Sequence, residues 1–225
     1  MKKNNKKYLV IDFDSTFVKC EALPELAEIC LFDHPEKDLI KEEIEKITDM
    51  GMEGKISFPE SLQKRLSALP LNKKHIEALS ERLKKNITDS ILRNKEIISK
   101  KANDIFIISG GFRDFILPIT REFAIPDENV LANNFIYNKR GQVIGFDENN
   151  FLAQEQGKVK QMQALNLHCT ISVVGDGWSD YEIRAAGLAD EFFAFTENIK
   201  RSKVVRRADK IAENFDRVVS ECKLI

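Results

Sequence analysis

Tryptophan occurs once in this 225-residue chain, histidine three times and cysteine four times. Each scarcity removes a class of explanation. Cys20, Cys30, Cys169 and Cys222 show no Cys-x-x-Cys spacing, and His34, His75 and His168 are scattered. A zinc site or a disulfide frame is therefore not expected, and the thiols read as reduced, mostly buried groups of a cytoplasmic protein. Charge of one sign is also lacking. The 35 basic and 36 acidic residues leave a net charge of −1, which gives no global field for nucleic acid or an anionic membrane. Long hydrophobic runs are missing as well. The opening Met-Lys-Lys-Asn-Asn-Lys-Lys resembles a secretory n-region, but the apolar stretch behind it spans only Tyr8 to Phe13 and runs into Asp12 and Asp14. Neither a signal sequence nor a membrane span is expected, and the lysines read as a solvated lead-in to the first strand. What remains is an apolar fraction of 43%, enough for one sizeable domain or for a core domain with a smaller insert.

The stretch Tyr8-Leu9-Val10-Ile11-Asp12-Phe13-Asp14-Ser15-Thr16 organises the rest. Its β-formers read as a strand buried on both faces, ending in two carboxylates. Two anions at a low-dielectric strand end repel each other, so the site asks for a divalent metal, a shared proton, or both. Asp-x-Asp-Ser-Thr as a polar turn capping the next helix is the plainer alternative.

A helical block follows: Glu25 to Leu31 with Pro24 in its first turn, Asp38 to Met50, Glu60 to Leu69, and Asn72 to Lys85. Gly51-Met52-Glu53-Gly54 is expected to break the second helix and Pro70 to end the third. Four helices without a strand look like a small helical domain inserted between strands. From Asp89 an α/β pattern resumes. Ile91 to Lys101 reads as helix and Ile105 to Ile108 as a buried strand ending in Ser109-Gly110-Gly111, then an amphipathic helix begins at Phe112, which Pro118 could kink or cut. Val130 to Tyr137 and Val143 to Phe146 read as a hairpin around Asn138 to Gln142. Gln156-Gly157-Lys158 opens a helix, and Ile171 to Val174 is a third buried strand, closing on Gly175-Asp176-Gly177-Trp178-Ser179-Asp180.

Three buried strands thus each stop in chemistry, and parallel strands with crossover helices bring all three endings to one sheet edge. Ser109-Gly110-Gly111 before a helix reads as an anion site, most naturally for phosphate. Asp176 adds a third carboxylate, a donor set that suits Mg²⁺, and Lys158 offsets the negative charge. A small-residue helix cap and a surface lysine are the plainer readings of Ser109-Gly110-Gly111 and Lys158 taken singly.

Asp12-Phe13-Asp14-Ser15-Thr16, Ser109-Gly110-Gly111-Phe112, Gly157-Lys158 and Gly175-Asp176-Gly177-x-x-Asp180 resemble, in order and spacing, the four motifs of the haloacid dehalogenase-like phosphatases. With Glu21, Met52, Phe58, Arg65 and Gly145-Phe146-Asp147, nearly the whole chain is similar to the phosphoserine phosphatase family within that group. Ser179 departs from the pattern, since many members carry Asn there. The resemblance implies an α/β fold with a Rossmann-like parallel sheet core (1–17 and 87–225), an inserted small helical cap domain (18–86) and a short β-hairpin flap. It implies a Mg²⁺-dependent hydrolase of small phosphomonoesters, most simply O-phosphoserine in serine biosynthesis, with Asp12 as nucleophile and Asp14 as acid and then base. Metal would be held by Asp12, the Asp14 carbonyl and Asp176, with Asp180 orienting them. Ser109, the Gly110 N–H, Lys158 and Ser179 would address the phosphoryl group. Arg65 beside the apolar stripe of its helix, and Glu21 just after the catalytic loop, would take the carboxylate and ammonium of the substrate. The expected partner is that metabolite alone, with no nucleic acid or membrane, and the chain acts as a monomer or homodimer.

Other readings make different demands. A phosphatase or phosphotransferase for another small phosphomonoester would not need Glu21 and Arg65. A phospho-accepting receiver also clusters Asp, Ser/Thr and Lys, but it needs no helical insert and has a different motif order. A regulatory protein that binds phosphoserine without turnover would keep the pocket and lack catalysis. A nucleotide P-loop is excluded, because Gly157-Lys158 is followed by Val159 and lacks the upstream glycine.

Overall fold

The first strand, β1 (Lys7–Ile11), is the hub of the computed structural model, which describes residues 6–52 and 55–223. It pairs in parallel with β2 (Ile105–Phe112) on one side and with β6 (Thr170–Gly175) on the other. Outside these lie β3 (Val130–Asn133), β7 (Glu191–Phe195) and β8 (Lys210–Ala212), giving a six-stranded parallel sheet in the order β3-β2-β1-β6-β7-β8. The sheet buries both faces, as its uninterrupted apolar strands require. Alternate residues enter opposite cores: Leu9, Ile11, Ile105 and Ile107 on one side, Val10, Phe106, Ile108 and Val173 on the other.

Ile11 is in register with both Ile107 and Val174. The residues after those positions therefore emerge side by side. The chain winds outward from β1 through β2 to β3 and later restarts at β6 on β1's other side, so a topological switch point lies between β1 and β6.

Between β1 and β2 come α1 (Ala22–Cys30), α2 (Lys37–Met52), α3 (Phe58–Ser67) and α4 (Lys73–Lys84). Ser57 and Asn72 cap α3 and α4 by accepting from backbone N–H groups. A lone antiparallel bridge between Val18 and Ile87 closes the neck of this insertion. Its apolar stripe (Leu62, Leu66, Leu79, Leu83) belongs to the same apolar cluster as one face of the sheet. The expected break at 51–54 falls largely outside the description: α2 continues to Met52, and Glu53, Gly54 and the Met52 side chain are not among the described residues. The lead-in at residues 1–5 lies outside it too.

Three local expectations are corrected. The helix from Ile91 is two short ones, α5 (Asp89–Arg93) and α6 (Lys95–Lys100), parted at Asn94, whose amide donates to Ser90 O and to Asp216. Val130–Tyr137 is not one hairpin arm: β3 joins the main sheet, and only β4 (Phe135–Tyr137) pairs antiparallel with β5 (Val143–Phe146). Strand β2 runs through Ser109-Gly110-Gly111 to Phe112, which pairs with Asn133 across a register shift, so α7 (Arg113–Thr120) begins only at Arg113. Pro118 sits inside α7 without breaking it. The remaining helices are α8 (Gly157–Leu165), α9 (Trp178–Ala185), α10 (Ser202–Val205) and α11 (Phe215–Cys222).

None of the four cysteines forms a disulfide; Cys169 and Cys222 are buried, whereas Cys20 and Cys30 are only half-buried. No helix among the described residues is long and apolar enough to cross a membrane.

Candidate active site

The chain leaves β1 through a wide turn, Phe13–Phe17, in which Val18 N–H donates to Phe13 O and Ser15 takes a left-handed conformation (φ 53°). Asn198, from the loop after β7, ties this turn down by donating to Ser15 O and to Thr88 Oγ1. The turn sets the two aspartates in different surroundings. Asp12 is buried; its Oδ1 accepts from Phe13 N–H at 2.7 Å and from Lys158 Nζ at 2.6 Å. Asp14 turns toward the insertion and accepts from Ala22 N–H, at the start of α1, at 2.9 Å.

Lys158 comes from the first turn of α8. Gln156 enters that turn with φ 54°, and a Cβ on Gly157 would stand 2.5 Å from Phe151 O, so only glycine fits. The lysine, 8% exposed, bridges Asp12 Oδ1 and Asp180 Oδ1 (2.7 Å). Asp180 is fully engaged, because its Oδ2 accepts from Gly177 N–H at 3.0 Å. Its carboxylate also packs against Gly175, where a Cβ would meet Asp180 Cγ at 2.3 Å.

Burial dominates the electrostatics. It lifts the Asp12 carboxyl to about 7, with repulsion from Asp180 adding and Lys158 opposing. Asp14 is held well above the usual carboxylate range by burial and by its neighbours Glu21 and Asp12. Asp176 is raised by burial and by Asp12, against the pull of Arg201. For Lys158 burial acts downward, but the two carboxylates outweigh it and the ammonium is held above its ordinary value.

Carboxylate oxygens of Asp12, Asp176 and Asp180, all buried, lie within 4.8 Å of one another. Such a set of hard oxygen donors fits a cation. Asp14 is not among these carboxylates.

Ser109 and Gly110 stand at the bulged end of β2. The Ser109 hydroxyl, fully buried, accepts from Gly111 N–H at 2.9 Å. Asn133 donates to Gly110 O (2.9 Å) and to Leu152 O (3.3 Å), fastening this strand end to the loop ahead of Lys158. Ser109-Gly110-Gly111, expected to lead straight into a helix, instead ends a strand; the ladder to β3 and Asn133 hold the bulge on which Gly110 stands, and α7 begins at Arg113.

One cavity of about 780 Å³ collects most of these groups; Asp12, Gly110, Lys158 and Ser179 line it from the sheet side and Glu21 and Arg65 from the insertion, while the buried Ser109 and Asp180 lie behind its wall. Arg65 is half-buried. It donates to Ser61 O at 3.3 Å, and no carboxylate pairs with it among the described residues. Glu21 is already partnered: its Oε1 accepts from Ser15 Oγ (2.7 Å) and from Arg201 Nη2 (3.4 Å). Ser179 is exposed on the rim. Trp178 forms a wall beside it, tilted against Tyr181 (ring centroids 4.9 Å apart) with Lys203 Nζ 4.1 Å from its ring centre.

Arg201 escaped the sequence reading. Its Nε donates to Asp176 Oδ2 at 2.8 Å, so it joins the carboxylate cluster to Glu21. A single arginine in a polar loop carries no motif. The one available signal was its position just past β7, on the edge where the other strand ends collect. Thr16, present in the first motif without a role, donates to Asp176 Oδ1 at 3.3 Å, and Asn133 of β3 was not singled out at all.

A parallel sheet that presents paired aspartates beside a buried lysine is the architecture of one class of hydrolases, and comparison agrees. The family model described as haloacid dehalogenase-like hydrolase matches residues 9–183, and the chain belongs to that family. Several of the proteins similar to the chain are phosphoserine phosphatases or resemble them. The chloroplastic phosphoserine phosphatase of Arabidopsis thaliana is 32% identical over 93% of this chain and 69% of its own length. A phosphoserine phosphohydrolase-like protein from Francisella tularensis has a fold with TM-score 0.80 and 33% identity, covering 95% of this chain and 98% of that one. A phospho-aspartyl intermediate analogue of phosphoserine phosphatase superposes with TM-score 0.74 at 25% identity, covering 97% and 99%.

Proposed function

We propose that this chain hydrolyses O-phosphoserine to serine and phosphate through an aspartyl-phosphate on Asp12. The observation that carries the reading is the arrangement of one cavity. A buried Asp12–Lys158–Asp180 group lies on one side and Arg65, which makes no salt bridge among the described residues but lies within the field of Glu21, on the other. The similarity to phosphoserine phosphatases supports it.

Asp12 is the nucleophile. Its Oδ1 is fixed by Phe13 N–H and Lys158, while Oδ2 has no hydrogen bond among the described residues and is the oxygen left to attack. As the Asp12–phosphorus bond forms, the ester P–O bond breaks and Asp14 gives its proton to the departing serine oxygen. The raised pKa of Asp14 keeps that proton available near neutral pH, and the Ala22 N–H steadies the anion left behind. Asp14 then takes a proton from the water that attacks phosphorus, and the Asp12 carboxylate is released. Gly110 N–H, the Ser109 region, Ser179 and Lys158 hold the phosphoryl oxygens. Mg²⁺, held by Asp12, Asp176 and the Asp14 carbonyl, would supply positive charge against the phosphoryl group; Asp180, saturated by Lys158 and Gly177, orients that set. Residues 18–86 act as a cap over the core of 1–17 and 87–225, bringing Arg65 to the substrate carboxylate and Glu21 to its ammonium. The setting is cytoplasmic serine biosynthesis, with the protein a monomer or homodimer.

Phosphate release from a panel of phosphomonoesters with Mg²⁺ tests this. Phosphoserine is the preferred ester, and Arg65→Ala lowers kcat/KM for it roughly a hundredfold while sparing p-nitrophenyl phosphate. A panel turned over without regard to a carboxylate, or a phosphoserine rate indifferent to Arg65→Ala, contradicts the substrate assignment.

A further inference from the structure

One contact joins the insertion to the core at the mouth of the cavity. The backbone N–H of Phe58, the first residue of α3, donates to Glu155 Oε1 at 2.6 Å. Ser57 caps the same helix through the Glu60 N–H, which leaves the Phe58 amide free for an outside acceptor. Glu155 lies three residues before Lys158, in the turn whose course Gln156 and Gly157 dictate. The Phe58 ring stands over Gly110: its Cζ is 3.8 Å from where a Cβ on Gly110 would sit. The N-terminus of α3 is therefore held by the turn ahead of Lys158 and stands beside the end of β2, both of which line the cavity. Two turns further along, α3 carries Arg65.

We infer that Glu155 is a positioning residue: its carboxylate is the latch on which α3 docks, and docking brings Arg65 to the carboxylate of the substrate. This rests on the function proposed above. A carboxylate at a helix N-terminus accepts a charge-assisted bond and also meets the positive end of the helix dipole, so the latch favours docking without touching substrate. Glu182 lies close enough to Glu155 to repel it, and Lys203 close enough to Glu182 to offset that repulsion. Because Glu155 and Lys158 share one rigid turn, the same segment addresses the nucleophile and the helix that selects the substrate.

The test uses Glu155→Ala and Glu155→Gln in the full chain. Glutamine keeps an acceptor for the Phe58 N–H and loses the charge. For Glu155→Ala, KM for O-phosphoserine rises roughly fivefold to tenfold with kcat changed much less. p-Nitrophenyl phosphate, which has no carboxylate for Arg65, keeps its KM. Glu155→Gln recovers most of the loss, and adding Glu155→Ala to Arg65→Ala has no further effect on phosphoserine. Amide hydrogen exchange gives an arm independent of turnover: residues 58–67 exchange faster in Glu155→Ala, while β1 and β6 do not. Equal losses on both esters, additivity with Arg65→Ala, or unchanged exchange in α3 each overturn the latch. Unchanged exchange would do so even in an enzyme whose substrate proves different.

Discussion

Replacing Lys158 by methionine removes the cation between two buried carboxylates and keeps most of the side-chain volume. In the native protein the ammonium is 2.6 Å from Asp12 and 2.7 Å from Asp180, and all three side chains are buried. Removing one partner of a buried ion pair leaves uncompensated charge and costs about 3–5 kcal/mol. In a domain of this size each kcal/mol moves Tm by about 2–4 °C, so the loss near pH 8 is roughly 6–20 °C. The penalty must depend on pH, and its sign is fixed. Both carboxyls are raised in the fold and are raised further without Lys158. The native state then binds more protons than the unfolded chain at any pH between the unfolded and folded values. Stability therefore falls as pH rises through that window. The difference from wild type should be largest near pH 8 and shrink toward about pH 5, where the unfolded carboxyls themselves near their ordinary titration range. Thermal melts of both proteins across that range decide the matter. A loss under about 1 kcal/mol, or one that does not change between the two ends, refutes the claim that Lys158 neutralises a buried anionic pair.

Two other perturbations probe the same cluster. Gly175→Ala places a methyl 2.3 Å from Asp180 Cγ, driving that carboxylate off Lys158; phosphatase activity should fall roughly a hundredfold and Tm should drop, and unchanged melting with unchanged rate would show that Asp180 does not need its place. In the proposed mechanism Asp12 attacks as the anion and Asp14 donates as the acid, so the pH profile of kcat/KM should be bell-shaped. Raising Mg²⁺ shifts the acid limb to lower pH, because a nearby cation favours the Asp12 anion that burial disfavours; an acid limb indifferent to metal would place the cation elsewhere.

How legible the site was follows from which residues carried a repeating physical signal. The strands β1, β2 and β6 could be read because double burial leaves runs of apolar β-formers, and the residues that break those runs are Asp12, Ser109 and Asp176. The helices of the insertion could be read from their spacing. Less was visible where one side chain decides the backbone. Asn94 splits a continuous helical pattern, and nothing in Val130 to Tyr137 announces that its halves serve different sheets. Gly110 and Gly111 look like the end of a strand, yet the ladder to β3 carries β2 past them. Arg201, Asn198 and Asn133 act through contacts with residues 19 to 183 positions away, where no local pattern can point. Glu21 was visible as a charge, but its hold on Ser15 and Arg201 was not.

Asp12, as the group that receives the phosphate, is the centre of the proposed mechanism. Enzyme mixed with O-phosphoserine and Mg²⁺ and quenched in acid within one turnover should carry an acid-stable, base-labile phosphoryl group that peptide mass spectrometry places on Asp12 and that Asp12→Asn lacks. Phosphate found on Asp14, on a serine or nowhere, in an enzyme that still turns over, would contradict it.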